Sequence, residues 1–101
     1  MIAETPKPPY YAVIFTSTRT EVDNNYAAVA DRMVELAQQQ DGFLGIESAR
    51  NELGITVSYW KDLESIKKWS QNARHQEAKQ KGKSSFYAVF KTRISKVERE
   101  Y

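Results

Sequence analysis

Cysteine is absent from this 101-residue sequence, histidine occurs once, and no apolar run is long. The first absence excludes disulfides, thiolate metal centres, iron–sulfur clusters and cysteine nucleophiles together. With His75 as the only imidazole, a multi-histidine metal site is excluded as well. No stretch approaches the roughly 20 apolar residues that a membrane-spanning helix needs, and Met1 to Pro9 lacks the apolar centre of a secretory signal. A cytoplasmic protein without a membrane partner is therefore expected. Charge of one sign is scarce: the formal net charge is +2. The basic excess gathers at Lys67, Lys68, Arg74, Lys79, Lys81 and Lys83, but Glu64 and Glu77 interrupt it. It reads as a solvated helix face and not as a nucleic-acid footprint. Glycine-rich phosphate loops, nucleophile elbows and paired-carboxylate patterns are also missing.

What is present is an ordinary globular balance, 41% hydrophobic and 28% charged, with six Tyr, four Phe and two Trp. That content supports one packed core in a single domain. Pro6, Pro8 and Pro9 fix φ and remove amide donors, so residues 1–9 are expected to form an extended arm. The domain then spans 10–97, with 98–101 as a tail. Tyr10 to Thr16 is aromatic and β-branched and reads as a strand. Tyr26, Val29, Ala30, Met33, Leu36 and Ala37 follow helical spacing, with Asp23, Asn24 or Asn25 as side-chain cap and Gly42 as the left-handed C′ residue. Phe43–Arg50 and Gly54–Trp60 read as a hairpin around Asn51, Glu52 and Leu53. Asp62 caps a second helix whose buried arc holds Leu63, Ile66, Trp69, Ser70 and Ala73, and Gly82 closes it. A fourth strand begins at Phe86, and the segment after Lys91 either extends it or reaches a neighbour.

The element order βαββαβ, with right-handed crossovers, implies a ferredoxin-like α+β fold: a four-stranded antiparallel sheet with both helices on one face. The first strand is apolar on both sides, Tyr11, Val13 and Phe15 against Tyr10, Ala12 and Ile14, whereas two helices cover only one side. An exposed apolar sheet face implies association, and a twofold homodimer with sheets face to face is the expected solution.

Few residues carry reactive chemistry. His75 is either a general base or a surface residue, and helical phase puts it roughly opposite the buried arc unless the helix breaks near Asn72 and Ala73. Trp60 and Trp69 are either core aromatics or the walls of a cavity in which Thr56 and Ser58 are the sparse polar groups and Ile66 lies close by. Arg50 and Arg93 are either anion-binding forks or solubility devices on edge strands.

The combination of Asp41 to Glu47, Val57 to Ile66, Trp69 and His75 resembles the antibiotic biosynthesis monooxygenase (ABM) domain family over roughly residues 10 to 97. The resemblance implies a dimeric α+β barrel with a pocket between sheet and helices. Family members oxidise polyphenolic molecules with dioxygen and neither metal nor flavin, and others bind and degrade haem. Trp60 and Trp69 match the family's strand and helix tryptophans, and His75 matches the histidine that ligates haem. The chain departs from the pattern at Thr16 to Thr18 and at Thr56, where branches of the family carry amide side chains. The function implied is a cofactor-independent monooxygenase acting on a small phenolic or quinone-type molecule; the alternative is a non-catalytic binder of a hydrophobic ligand or haem.

Overall fold

The structure is a computed structural model and describes residues 1–80 and 86–101. Its elements are β1 (Tyr10–Arg19), α1 (Tyr26–Gln38), β2 (Phe43–Arg50), β3 (Leu53–Trp60), α2 (Leu63–Gln80) and β4 (Tyr87–Val97). The strands form one antiparallel sheet in the order β2-β3-β1-β4. This is the ferredoxin-like α+β arrangement, and its central strand is the doubly apolar β1. Both helices lie over the same face, because one cavity is bounded by α1, α2 and the strand residues Val13, Phe15, Thr56 and Ser58. The segment after Lys91 extends β4 to Val97, while Phe86 precedes that strand and does not belong to it.

The α1 start corrects one expectation. Asn24 and Asn25 both adopt positive φ, and Asn25 makes no side-chain cap bond. Asparagine tolerates the left-handed region, and the backbone caps itself through Tyr26 N–H to Asp23 O at 2.7 Å. Gly42 is displaced from the expected C′ position, since Gln39 is the cap. Its φ of +83° instead serves the turn into β2, where a Cβ would collide with Ser65. In α2 the expected cap holds: Ser65 N–H donates to Asp62 Oδ1 at 2.8 Å. Hydrogen bonds from the Ser65 hydroxyl and amide keep the Asp62 carboxyl below its ordinary range. The helix is unbroken from Leu63 to Gln80. Gly82, Lys81 and Lys83 lie outside the described residues. Leu63 leaves the expected buried arc; it is exposed beside a shallow groove shared with Lys67, Arg74 and Ile94.

The core sits at the Trp60 end of the sheet. Ala37, Trp60 and Ile66 are buried together, with Tyr11, Phe43 and Trp69 packed around them. Trp60 stacks on Trp69 at 5.8 Å and meets Phe43 edge-on at 5.5 Å. Leu44 is the extra residue of a bulge, because Phe43 pairs with Trp60 while Gly45 pairs with Tyr59.

The chain's own ends cover part of the opposite sheet face. Ala3 lies against Gly45, where an added Cβ would come within 2.9 Å of it. The Ala3 amide donates to Glu47 at 2.9 Å, and the Tyr59 hydroxyl donates to the other Glu47 oxygen. Thr5 and Tyr10 both donate to Glu100 in the tail. These bonds make the arm pH-sensitive. The Tyr59 hydroxyl and the Ala3 amide depress the Glu47 pKa below its ordinary value of 4.5, so its contribution is present above that value and lost as pH falls through the folded one. Burial and Glu47 raise Tyr59 to about 12, so that contribution is full below 10 and lost as pH rises through about 12. The protection factor of the Ala3 amide, its exchange rate normalised to that of an unstructured chain at the same pH, is expected to fall on acidification below 4.5, and Glu47→Gln should remove that acid limb. Hydrogen exchange followed by NMR measures both.

Candidate functional site

Between the sheet and the helices lies a cavity of about 810 Å³. It exists because the apolar faces of α1 and α2 stand off the sheet over most of its length and close on it only at the Trp60 end. Val29, Ala30, Met33 and Val34 of α1 form one wall, and Ile66, Trp69, Ser70 and Ala73 of α2 form the other. Helical spacing of small and apolar residues produces both walls.

The floor follows from strand register. Side chains alternate across a strand, so paired residues of β1, β3 and β2 form rows on the cavity side. Tyr11 and Trp60 make the first row. Val13, Ser58 and Ile46 make the second, Phe15, Thr56 and Ser48 the third, and Ser17, Gly54 and Arg50 the last. The floor therefore runs from apolar at Trp60 to polar at Arg50, with hydroxyls between.

Thr56, Ser58, Ile66 and Trp69 line this cavity together. Trp60 does not line it: it is 0% exposed, packed between the sheet and α2 at the closed end of the cavity, and donates through Nε1 to Ser58 Oγ at 2.9 Å. His75 is exposed on α2 and does not line the cavity, as expected for an unbroken helix. Among the described residues no group of three or more His, Asp or Glu is placed to hold a metal, and no helix is long and apolar enough to cross a membrane.

The end of the cavity away from Trp60 is aromatic and basic. The Tyr26 and Tyr87 hydroxyls lie 3.1 Å apart, and the Arg19 guanidinium sits 3.5 Å from the Tyr26 ring centroid. Burial, then the Tyr26 contact, pushes the Tyr87 pKa well up. Arg50 is the residue whose position was least legible. Its guanidinium crosses the sheet to donate to the Ser17 carbonyl at 3.3 Å and to the Ser17 hydroxyl, 5.7 Å from the Tyr87 ring. Gly54 makes that path possible, since a Cβ there would run into the guanidinium. The available signal was a glycine facing an arginine across a hairpin, which has meaning only once the register is known.

Residues 9–81 match the antibiotic biosynthesis monooxygenase family. The chain belongs to that family. It is 48% identical over 101 residues to an uncharacterised protein, YqjZ, of Bacillus subtilis (strain 168), covering 98% of this chain and 89% of that one. The fold is similar to SnoaB of Streptomyces nogalater, a cofactor-independent oxygenase, with TM-score 0.74 and 9% identity over 92% of this chain and 97% of that one. It is also similar to PA3566 of Pseudomonas aeruginosa, with TM-score 0.69 and 16% identity over 95% and 99% of the two chains. At those identities the two structures speak for the fold alone. Membership of a monooxygenase-like family is carried by the family match.

Proposed function

We propose that this ABM-family chain is a cofactor-independent monooxygenase that converts a small phenolic molecule to a quinone. The observation that carries the reading is the cavity itself, walled by Trp69, Ile66 and Met33 and floored by the hydroxyls of Thr56 and Ser58. It suits a flat aromatic ring with oxygen substituents. In the reaction a phenol takes up one dioxygen; one oxygen atom enters the ring, the other leaves as water, and the ring loses four electrons to become a quinone. The electrons come from the substrate, so no flavin or metal is called for.

The side chains supply position and charge stabilisation. Ser58 Oγ accepts from the Trp60 indole, which leaves its own O–H to donate to a phenolate oxygen. Thr56, one row further along the floor, supplies a second hydroxyl. Such donors stabilise the oxyanion that makes the ring electron-rich. The proposal gives His75 no part in the chemistry. Oxygen consumption with a panel of hydroxylated naphthalenes should equal quinone formation mole for mole, and Ser58→Ala with Thr56→Val should lower turnover by about 100-fold. No oxygen uptake with any phenol would overturn the enzyme reading. A Soret shift on adding haem, abolished by His75→Ala, would support the alternative of a non-catalytic binder.

The functional unit in this proposal is a homodimer. On the sheet face away from the helices, Leu53, Ile55 and Val89 are exposed and Ile14 and Val57 are half-buried, beyond the part that the arm covers. A second copy packed on this face would bury them. Light scattering at micromolar concentration should return twice the chain mass, and Val57→Lys should halve it.

A further inference from the structure

Arg50 does not fit a purely structural role. Its two hydrogen bonds both go to Ser17, which carries no charge, and among the described residues no carboxylate pairs with it. A guanidinium has five N–H donors, so several remain unused. Three features hold it at the cavity: the Ser17 acceptors on β1, the Tyr87 ring on β4, and the bare backbone of Gly54 on β3. Four strands thus cooperate to bring one guanidinium without a carboxylate partner to the polar end of the sheet floor, while the other charged residues lining the chamber, Asp31, Arg74 and Glu77, come from the helices.

We propose that Arg50 reads a carboxylate on the substrate, so that the ligand class is a hydroxylated aromatic carboxylic acid. The proposal rests on the phenol-oxidising reading for the hydroxyl end of the molecule, but the anion site stands on the Arg50 geometry alone. A planar guanidinium with free donors matches a carboxylate in a forked pair. The rows of the floor order the ligand: carboxylate at Arg50, ring over Phe15 and between the helices, and a ring oxygen toward Thr56 or Ser58. Adjacent rows are two strand residues apart, roughly 7 Å, so the carboxylate and the reacting oxygen belong at opposite ends of one or two fused rings. Arg50 is accordingly a specificity-determining residue, acting at the end away from the oxidised carbon.

The test is calorimetric titration with 6-hydroxy-2-naphthoic acid and its methyl ester. The acid should bind the wild-type protein about 10- to 100-fold more tightly than the ester, the range of charge-assisted hydrogen bonds. Arg50→Met should erase that preference while leaving ester affinity within about twofold, and Arg50→Lys should restore part of it. Gly54→Ala provides the independent variant: it keeps the charge, and its Cβ meets only the far end of a flexible side chain, so the strand folds while the guanidinium leaves its seat. It too should lose the preference. Equal binding of acid and ester to the wild type, no binding of either, or a preference unchanged in Arg50→Met or Gly54→Ala would each overturn the proposal. Absence of oxygen uptake alongside a preserved preference would overturn the oxidation reading and leave the anion site standing.

Discussion

Trp60→Ala is expected to cost about 3–5 kcal/mol, the range for truncating a large buried aromatic. A domain of this size has only about 5–15 kcal/mol of stability in all, so the variant should be partly unfolded at growth temperature. The size of the effect follows from position. Trp60 is wholly buried, stacked on Trp69 and edge-on to Phe43, and holds together the end of the molecule where α2 meets the sheet. Elsewhere the cavity intervenes, so little other core remains to compensate. Loss of the indole also leaves Ser58 Oγ without its donor. Chemical denaturation followed by circular dichroism measures the loss. Trp60→Phe, which keeps a ring but not the N–H, should cost about 1–2 kcal/mol and should still disturb Ser58. A Trp60→Ala protein within 1 kcal/mol of the wild type would mean that the helices are held by something other than this cluster.

Ala73→Phe is expected to do the reverse: preserve the fold and abolish the function. Ala73 is half-buried on the cavity side of α2, four residues after Trp69 and on the same stripe. A phenyl ring there projects into open volume, so the overpacking strain of a filled core is absent and stability should stay within about 1 kcal/mol. The ring would occupy the space between the helices that the proposed phenolic substrate would fill. Turnover and ligand affinity should fall about 100-fold, since even small misplacement of a reacting ring is costly. Oxygen uptake and a thermal melt on the same preparation separate the two effects. Unchanged uptake would show that chemistry occurs outside this cavity.

Much of the fold was legible before the structure because it depends on neighbours along the chain. Strand alternation, the helical stripe of α1, the Asp62 cap and the outward phase of His75 are all set by spacing within a few residues. The failures were also local, where several residues compete for one role. Asn24 and Asn25 accept the left-handed region, which leaves the Asp23 carbonyl and not a side chain to receive Tyr26 N–H, and Leu63 drops from the helical stripe because the first turn of α2 lies at the edge of the packed region.

The site divides along the same line. Thr56, Ser58, Ile66 and Trp69 could be named from the sequence as a group because each shows the correct phase within its own strand or helix. Trp60 could be named but not placed: phase puts it on the same side as Thr56 and Ser58, and only the packing of Trp69 and Phe43 seals it off at the closed end of the cavity. Arg50 was the opposite case. Seen alone it is an arginine at a hairpin end, equally suited to solvent. Its seat requires Ser17, Gly54 and Tyr87 from three other strands, and those meet only through the β2-β3-β1-β4 order and its register. The sequence by itself determined the elements and the apolar walls, because periodicity is local, and its motifs carried the resemblance to the family. The tertiary structure alone decided that Arg50 faces the cavity, because that depends on Ser17, 33 positions away in the chain, and on Tyr87 from the last strand.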